Sequence, residues 1–249
     1  METREWNAGS YDEISAPQQE WGATVVERLE LRGDETVIDA GAGTGLVTEM
    51  VLERLPRGRV IAVDASQAMV QRARERLPAD RTTVLCADLV TLELPEPVDA
   101  IISTATFHWI LDHDALFVRM RALLARGGQF VAQCGGEGNL DAVRGIAREL
   151  GAPFAEYLEA MPPPWNYASA QVTRRSLERA GFAVSAVWLE PRPTVPPRPR
   201  EFMETVIFRM QLMHLPAELR DPFLDAMMER LPAPAVLDYV RLNFDATAI

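Results

Sequence analysis

Apolar positions along the chain follow two rhythms. Short runs rich in β-branched and small apolar residues recur at Thr36–Asp39, Arg59–Asp64, Thr82–Ala87, Ala100–Ser103 and Gln129–Gln133, and each predicts a buried strand. Between them, Leu46–Leu55, Gln67–Leu77 and Asp114–Leu124 carry apolar residues at helical spacing. An earlier amphipathic helix is predicted over Pro17–Leu29, with the proline at an early helical position and Val25, Val26 and Leu29 on one face. Strands alternating with helices on this scale pair in parallel through right-handed crossovers, so the expected fold class is α/β, an open Rossmann-like sheet with helices on both faces. Ligands bind such sheets beyond the carboxyl ends of the strands.

After Cys134 the rhythm breaks. "GGEGNLDAVRGIARELGAPFAEYLEAMPPPWNYAS" mixes helical spacing with three prolines and two aromatics, and reads as an insertion across the sheet edge. A helix at Thr173–Ala180 closed by Gly181 and a strand at Phe182–Pro191 restore the pattern. "PRPTVPPRPR" can be neither strand nor helix interior and is expected to be an extended connector. Helices are predicted at Arg200–Leu212 and Pro216–Arg230, then a seventh strand at Val236–Phe244, antiparallel between its neighbours. The whole is expected to be one domain, residues 1–249, with helical lid insertions at about 139–170 and 196–232.

With 249 residues and 48% hydrophobic content, the chain can bury a large core of its own. A net charge of −11 without a dense Lys/Arg cluster repels phosphate backbones, so nucleic acid is not an expected partner. The polar, acidic start lacks a signal-peptide pattern and no apolar run reaches spanning length, so a cytoplasmic protein without membrane contact is expected. Cys86 and Cys134 are expected to be buried free thiols, and no Cys/His spacing suggests a metal site.

The candidate chemistry begins at "VIDAGAGTGL", where Gly41, Gly43 and Gly45 follow Asp39 at the end of the first strand. The Gly-x-Gly-x-Gly spacing differs from the Gly-x-Gly-x-x-Gly of dinucleotide sites, and the carboxylate suits a ligand bearing a cationic amine. Asp64 ends the second strand, where it could accept both hydroxyls of a ribose; Ser66 is the better cap for the following helix. Asp88 ends the third strand, positioned to accept from an exocyclic adenine amine, with a turn residue as the competing role. Three successive strand-end acids form one carboxylate rim.

These motifs resemble, in order and spacing over roughly Trp6 to Gly136, the class I S-adenosylmethionine-dependent methyltransferases. That resemblance implies a Rossmann-like methyltransferase fold with a mostly parallel seven-stranded sheet, and S-adenosyl-L-methionine as cofactor. Asp39 with Gly41, Ala42, Gly43 and Gly45 would hold the methionine part, Asp64 the ribose, and Asp88 with Leu89 the adenine edge. Ala65 and Met69 would flank the ring, and Thr104 would border the site from the fourth strand. Ala42 stands where the commoner loop has Cys. "STATFHWI", Ser103 to Ile110, is similar to the trans-aconitate methyltransferase-like group, in which Trp6 and Tyr11 would cover the cofactor. The arginine of that group's first helix has no counterpart in "SAPQQEWG".

The implied reaction is methylation of a small molecule, at a carboxylate or a hydroxyl oxygen. His108 is the candidate catalytic residue, as a base or as an orienter, with packing as its alternative. His113 reads as part of a helix cap and His214 as structural or a pocket wall. Phe107, Trp109, Trp165 and Tyr167 are candidate substrate-pocket rings. Arginines of the Pro-rich connector and of "FRMQLMH" could pair with an acidic substrate. A nicotinamide-dependent dehydrogenase and a methyltransferase-like fold kept for binding stay open as alternatives, as does the oligomeric state.

Overall fold

The computed structural model describes residues 16–159, 161 and 164–249. Trp6 and Tyr11 lie outside these described residues. In chain order the elements are α1 (Ala16–Glu27), β1 (Thr36–Ala40), α2 (Leu46–Glu53), β2 (Arg59–Asp64), α3 (Gln67–Arg76), β3 (Thr82–Cys86), β4 (Val98–Thr104), α4 (His113–Leu123) and β5 (Leu124–Gly135). They continue with α5 (Asp141–Glu149), α6 (Ala155–Leu158), α7 (Ala170–Arg179), β6 (Phe182–Pro191), α8 (Pro199–Phe202), α9 (Arg209–His214), α10 (Ala217–Arg230) and β7 (Val240–Ala248).

One seven-stranded sheet runs in the order β3-β2-β1-β4-β5-β7-β6. The first five strands are mutually parallel, whereas β7 is antiparallel to both β5 and β6. Strand order therefore reverses between β1 and β4, which opens a crevice at their carboxyl ends. The expected α/β class and the antiparallel last strand between its neighbours are both observed. Apolar side chains cover the two sheet faces in separate clusters, one around Phe107, Phe117, Phe130 and Phe244 and the other around Val37, Val51, Leu55 and Val60. A third cluster, with Trp21, Phe202, Phe208, Phe223 and Leu237, ties helices from the two late insertions to α1.

Several predicted elements differ from those observed; β5, expected at Gln129–Gln133, runs from Leu124 to Gly135. The Arg200–Leu212 helix is broken into α8, a π turn at Met203–Ile207, and α9. Buried pairs Phe202/Met203 and Ile207/Phe208 stand five residues apart, and Phe208 N–H donates to the Met203 carbonyl at 2.8 Å, the wider spacing of a π turn. The last strand begins at Val240 instead of Val236 and runs past Phe244 to Ala248. Asp245 pairs with Val131 in the ladder and its carboxylate with Arg28, just after α1, at 3.1 Å, so Asp245 does not end the strand. Leu237 and Tyr239, meanwhile, join the third cluster.

Cys134 is buried but Cys86 is exposed, because β3 is an edge strand and its burial alternates poorly. No described helix is long and apolar enough to cross a membrane.

Candidate active site

The glycine bend begins where β1 ends. Gly41 and Ala42 donate their N–H groups to the Val63 carbonyl at 2.8 and 2.9 Å, which tethers the bend to β2. Gly41 has φ +85°, and a Cβ there would lie 2.1 Å from Thr106 Oγ1. That hydroxyl sits between the carbonyls of Thr104 (2.9 Å) and Gly41 (3.2 Å), so β4 closes on the bend from the other side. Gly43 is different: nothing lies within 4 Å of the position its Cβ would take. Gly45 then caps α2.

Asp39 is completely buried. Its Oδ2 accepts from the Thr48 hydroxyl at 2.6 Å, while Oδ1 has no hydrogen-bond partner among the described residues. Burial above all, with the nearby Asp64 adding and Thr48 opposing, pushes its pKa up to about 7. A carboxyl whose folded pKa lies above its unfolded 3.8 makes the fold lose stability as pH rises from about 4 to about 7. At about 1.4 kcal/mol per unit the penalty reaches roughly 4 kcal/mol, from which an unpaired amide N–H of a replacement subtracts about 1–3 kcal/mol. Asp39→Asn is therefore expected to raise stability by about 1–3 kcal/mol near pH 8, with the gain fading near pH 5. Denaturant melts at the two pH values check this; destabilisation near pH 8 would contradict it.

Asp64 is half-buried and already at work. Its Oδ2 accepts from Gly43 N–H at 2.9 Å and its Oδ1 from Ser66 N–H at 2.8 Å, so it locks the bend to the tip of β2. Ser66 does cap α3, its hydroxyl accepting from Met69 N–H. Asp88 Oδ1 accepts from Val90 N–H at 2.9 Å, a turn role that leaves Oδ2 available. Ala65 is exposed and Met69 buried, and the Leu89 side chain enters the sheet core. Thr104 is half-buried at the end of β4.

Beside this rim stands a group of rings. A short 3-10 turn, Phe107–Trp109, follows β4, and a strap at 164–168 is fastened over it. Asn166 N–H donates to the His108 carbonyl at 2.7 Å, Asn166 Nδ2 to the Leu111 carbonyl at 2.9 Å, and Glu137 N–H to the Ala168 carbonyl at 3.0 Å. The strap stacks Trp165 on Tyr167 (5.4 Å) and Tyr167 on His108 (5.8 Å), with Trp165 edge-on to Trp109 at 6.2 Å. Trp109, Trp165, Tyr167 and His108 are thus brought together. Phe107 is not with them: it is 1% exposed and packs against Phe117, Phe130 and Phe244 in the sheet core, a correction to its expected pocket role. In a 3-10 turn successive side chains point about 120° apart, so neighbours of one motif serve different sides.

His113 also parts from expectation. Asp112, not His113, caps α4 through the Ala115 N–H; the His113 ring is buried, donates Nε2–H to the Phe107 carbonyl at 3.0 Å, and is held neutral by burial. His214 is exposed and bonds the Met210 carbonyl within its own helix. Connector arginines are engaged by the chain's own acids: Arg192 by Glu190, Arg198 by Glu201, and Arg200 by Asp221 and Asp225. Among the described residues no group of three or more His, Cys, Asp or Glu could hold a metal ion.

Several site residues escaped the sequence reading. Arg144 of α5 lies over both the Trp165 and Tyr167 rings, at 5.5 and 5.4 Å. Arg241, 2% exposed on β7, lies 4.7 Å over Trp21 and donates to Gln133 Oε1 at 3.4 Å. The available signal was alternation: Arg241, Asn243 and Asp245 occupy every second position of an otherwise apolar strand, a polar row on one face.

Comparison with known proteins matches this geometry. Residues 37–128 match the family described as Methyltransferase domain. An uncharacterised methyltransferase of Schizosaccharomyces pombe (strain 972) is 30% identical over 216 residues, 80% of this chain and 79% of that protein. Trans-aconitate 2-methyltransferase of Acidovorax sp. (strain JS42) is 27% identical over 234 residues, covering 91% and 89%. In fold, the chain is similar to phosphoethanolamine N-methyltransferase 2 of Haemonchus contortus, with a TM-score of 0.63 at 19% identity over 97% of this chain and 56% of that one. The glycine bend, the strand-end acids and this kinship agree, and the chain belongs to the class I S-adenosylmethionine-dependent methyltransferases, with S-adenosylmethionine as its cofactor.

Proposed function

We propose that this enzyme transfers a methyl group to an oxygen of a small organic acceptor, a carboxylate or a hydroxyl, in the cytoplasm. The observation that carries the reading is the tie between the glycine bend after β1 and the segment that bears the His108–Trp109–Trp165–Tyr167 ring group: the hydroxyl of Thr106, two residues before His108, donates to the Gly41 carbonyl. The residues present fit the cofactor. Asp39 Oδ1 lacks, among the described residues, a partner of the kind an ammonium group would supply, nothing lies within 4 Å of the Gly43 Cβ position, and Asp64 stands at the tip of β2 beside the bend. In this reading Asp88 meets the adenine amine, Trp6 and Tyr11 cover the cofactor, and the helical segments near 139–170 and 196–232 form the lid. The name of the trans-aconitate enzyme supports a small organic acid as acceptor.

S-adenosylmethionine, when bound, supplies a methyl group on a sulfonium that leaves with its bonding pair. What remains for the protein is placement: near-attack geometry is worth up to about 7–11 kcal/mol in favourable cases. The aromatic strap serves that end and also excludes water from an anionic nucleophile.

Asp64→Ala is expected to weaken S-adenosylhomocysteine binding by about 1–3 kcal/mol, through lost charge-assisted hydrogen bonds to the ligand and a loosened Gly43. Unchanged affinity in calorimetry would remove Asp64 from the site. The function itself is tested by incubating the protein with labelled S-adenosylmethionine and a library of small acids and alcohols. Methylated product together with S-adenosylhomocysteine is expected; cofactor binding without turnover on any acceptor would favour a binding protein.

A further inference from the structure

Among the described residues two carboxyl groups are buried, Glu35 and Asp39, and the fold treats them oppositely. Glu35, just ahead of β1, accepts from the N–H groups of Arg32, Gly33 and Asp34 at 2.7, 2.9 and 3.1 Å and pairs with the Arg32 guanidinium at 3.3 Å. Burial works against its charge, yet these donors hold it below the usual carboxylate range.

Asp39 receives none of this. The N–H groups of Gly41 and Ala42 donate to the Val63 carbonyl and that of Gly43 to Asp64, so the bend turns these amides away from it. From α2, Thr48 offers one neutral hydroxyl to Oδ2, while Glu49 is paired with Arg76 at 3.7 Å. From β2 comes Asp64, a like charge. From β4 and the turn after it come the Ser103 and Thr106 hydroxyls, which are spent on backbone carbonyls. Oδ1 has no hydrogen-bond partner among the described residues, and among them no cation acts on this carboxyl. A buried carboxylate without donors or counter-charge is costly, and a group so placed holds its proton close to neutrality.

We propose that cofactor binding is coupled to proton release at Asp39: the ligand-free protein carries this side chain as a neutral acid, and the ligand's ammonium group displaces the proton and pairs with the carboxylate left behind. The inference rests on the methyltransferase reading above and adds a requirement to it. One O–H bond breaks, its electron pair stays on Asp39, the proton leaves to the buffer, and the ammonium group keeps its own protons. Binding selects the ionised form, so affinity is full above about pH 7 and falls as pH drops below it. A nucleoside thioether without the amino-acid tail gains nothing from that charge and binds without releasing a proton.

The test is calorimetry on the full chain at pH 6, titrated with S-adenosylhomocysteine in two buffers of different ionisation enthalpy, which counts protons. Release of about one proton per ligand is expected, with affinity about tenfold or more weaker at pH 5.5 than at pH 7.5. 5′-Methylthioadenosine, which keeps the adenosine and the sulfur but lacks the amino-acid tail, should release none. Asp39→Asn, expected above to fold more stably, should bind S-adenosylhomocysteine about tenfold more weakly at pH 7.5 and also release none. No release by the wild-type protein overturns the proposal. So does equal release with methylthioadenosine, or release that persists in the Asn variant, which would assign the proton to another group. If the Asn variant binds too weakly to measure, the comparison of the two ligands on the wild-type protein decides. Failure of the wild-type protein to bind S-adenosylhomocysteine at any pH is a separate result, and it sinks the methyltransferase reading itself.

Discussion

Phe107→Ala is expected to cost about 3–5 kcal/mol of stability, the range for emptying a buried aromatic site. Phe107 touches Phe117 edge-on at 6.4 Å, Phe130 edge-on at 5.8 Å and Phe244 in a stack at 6.4 Å. These rings come from α4, β5 and β7, so the cavity would open where three elements meet. None can collapse alone: Phe117, Phe130 and Phe244 are themselves at most 1% exposed and pack on one another. Chemical denaturation followed by tryptophan fluorescence measures the loss. A cost below about 1 kcal/mol would return Phe107 to the pocket wall, where a truncated ring is replaced by solvent.

The second large effect is at Gly41. Alanine there would have to hold φ +85°, a left-handed value that costs a residue with a Cβ about 1–2 kcal/mol. It would also drive a methyl into Thr106, whose Oγ1, Cγ2 and Cβ all lie within 2.5 Å of the Cβ position. Thr106 is short and hydrogen-bonded to two carbonyls, so relief must come from the backbone. Stability is expected to fall by about 2–4 kcal/mol, and cofactor affinity by tenfold or more, as the bend shifts relative to Asp64. Gly43→Ala is the instructive contrast. Its added methyl meets nothing in the protein, so stability should change by only about 1 kcal/mol while cofactor affinity still falls. Equal stability losses for the two variants would contradict this division of labour.

How much was visible beforehand follows from where the information lies. Strands β1, β2 and β6 and the parallel order could be read because each apolar run is short, local and flanked by turn chemistry. The strand-end acids were legible for the same reason: position at a strand tip is a property of the local run. The Gly135–His108 bond was not, since its partners are 27 residues apart in sequence and meet only through the pairing of β4 with β5. Arg144 was equally hidden, its role depending on a strap that returns from residues 164–168. Phe107 misled because its motif neighbours do line the ring group, and a 3-10 turn scatters adjacent side chains to different sides. Asp64 carried more than expected: the sequence suggests a ligand contact, and only the fold reveals that it also holds the bend in shape.

The most direct trial is a crystal structure of the protein grown with S-adenosylhomocysteine. The ribose hydroxyls should lie within hydrogen-bonding distance of Asp64, the adenine amine beside Asp88, and the amino-acid portion along the backbone of Gly41 to Gly45. Ligand density elsewhere, with no ribose hydroxyl near Asp64, would contradict the account.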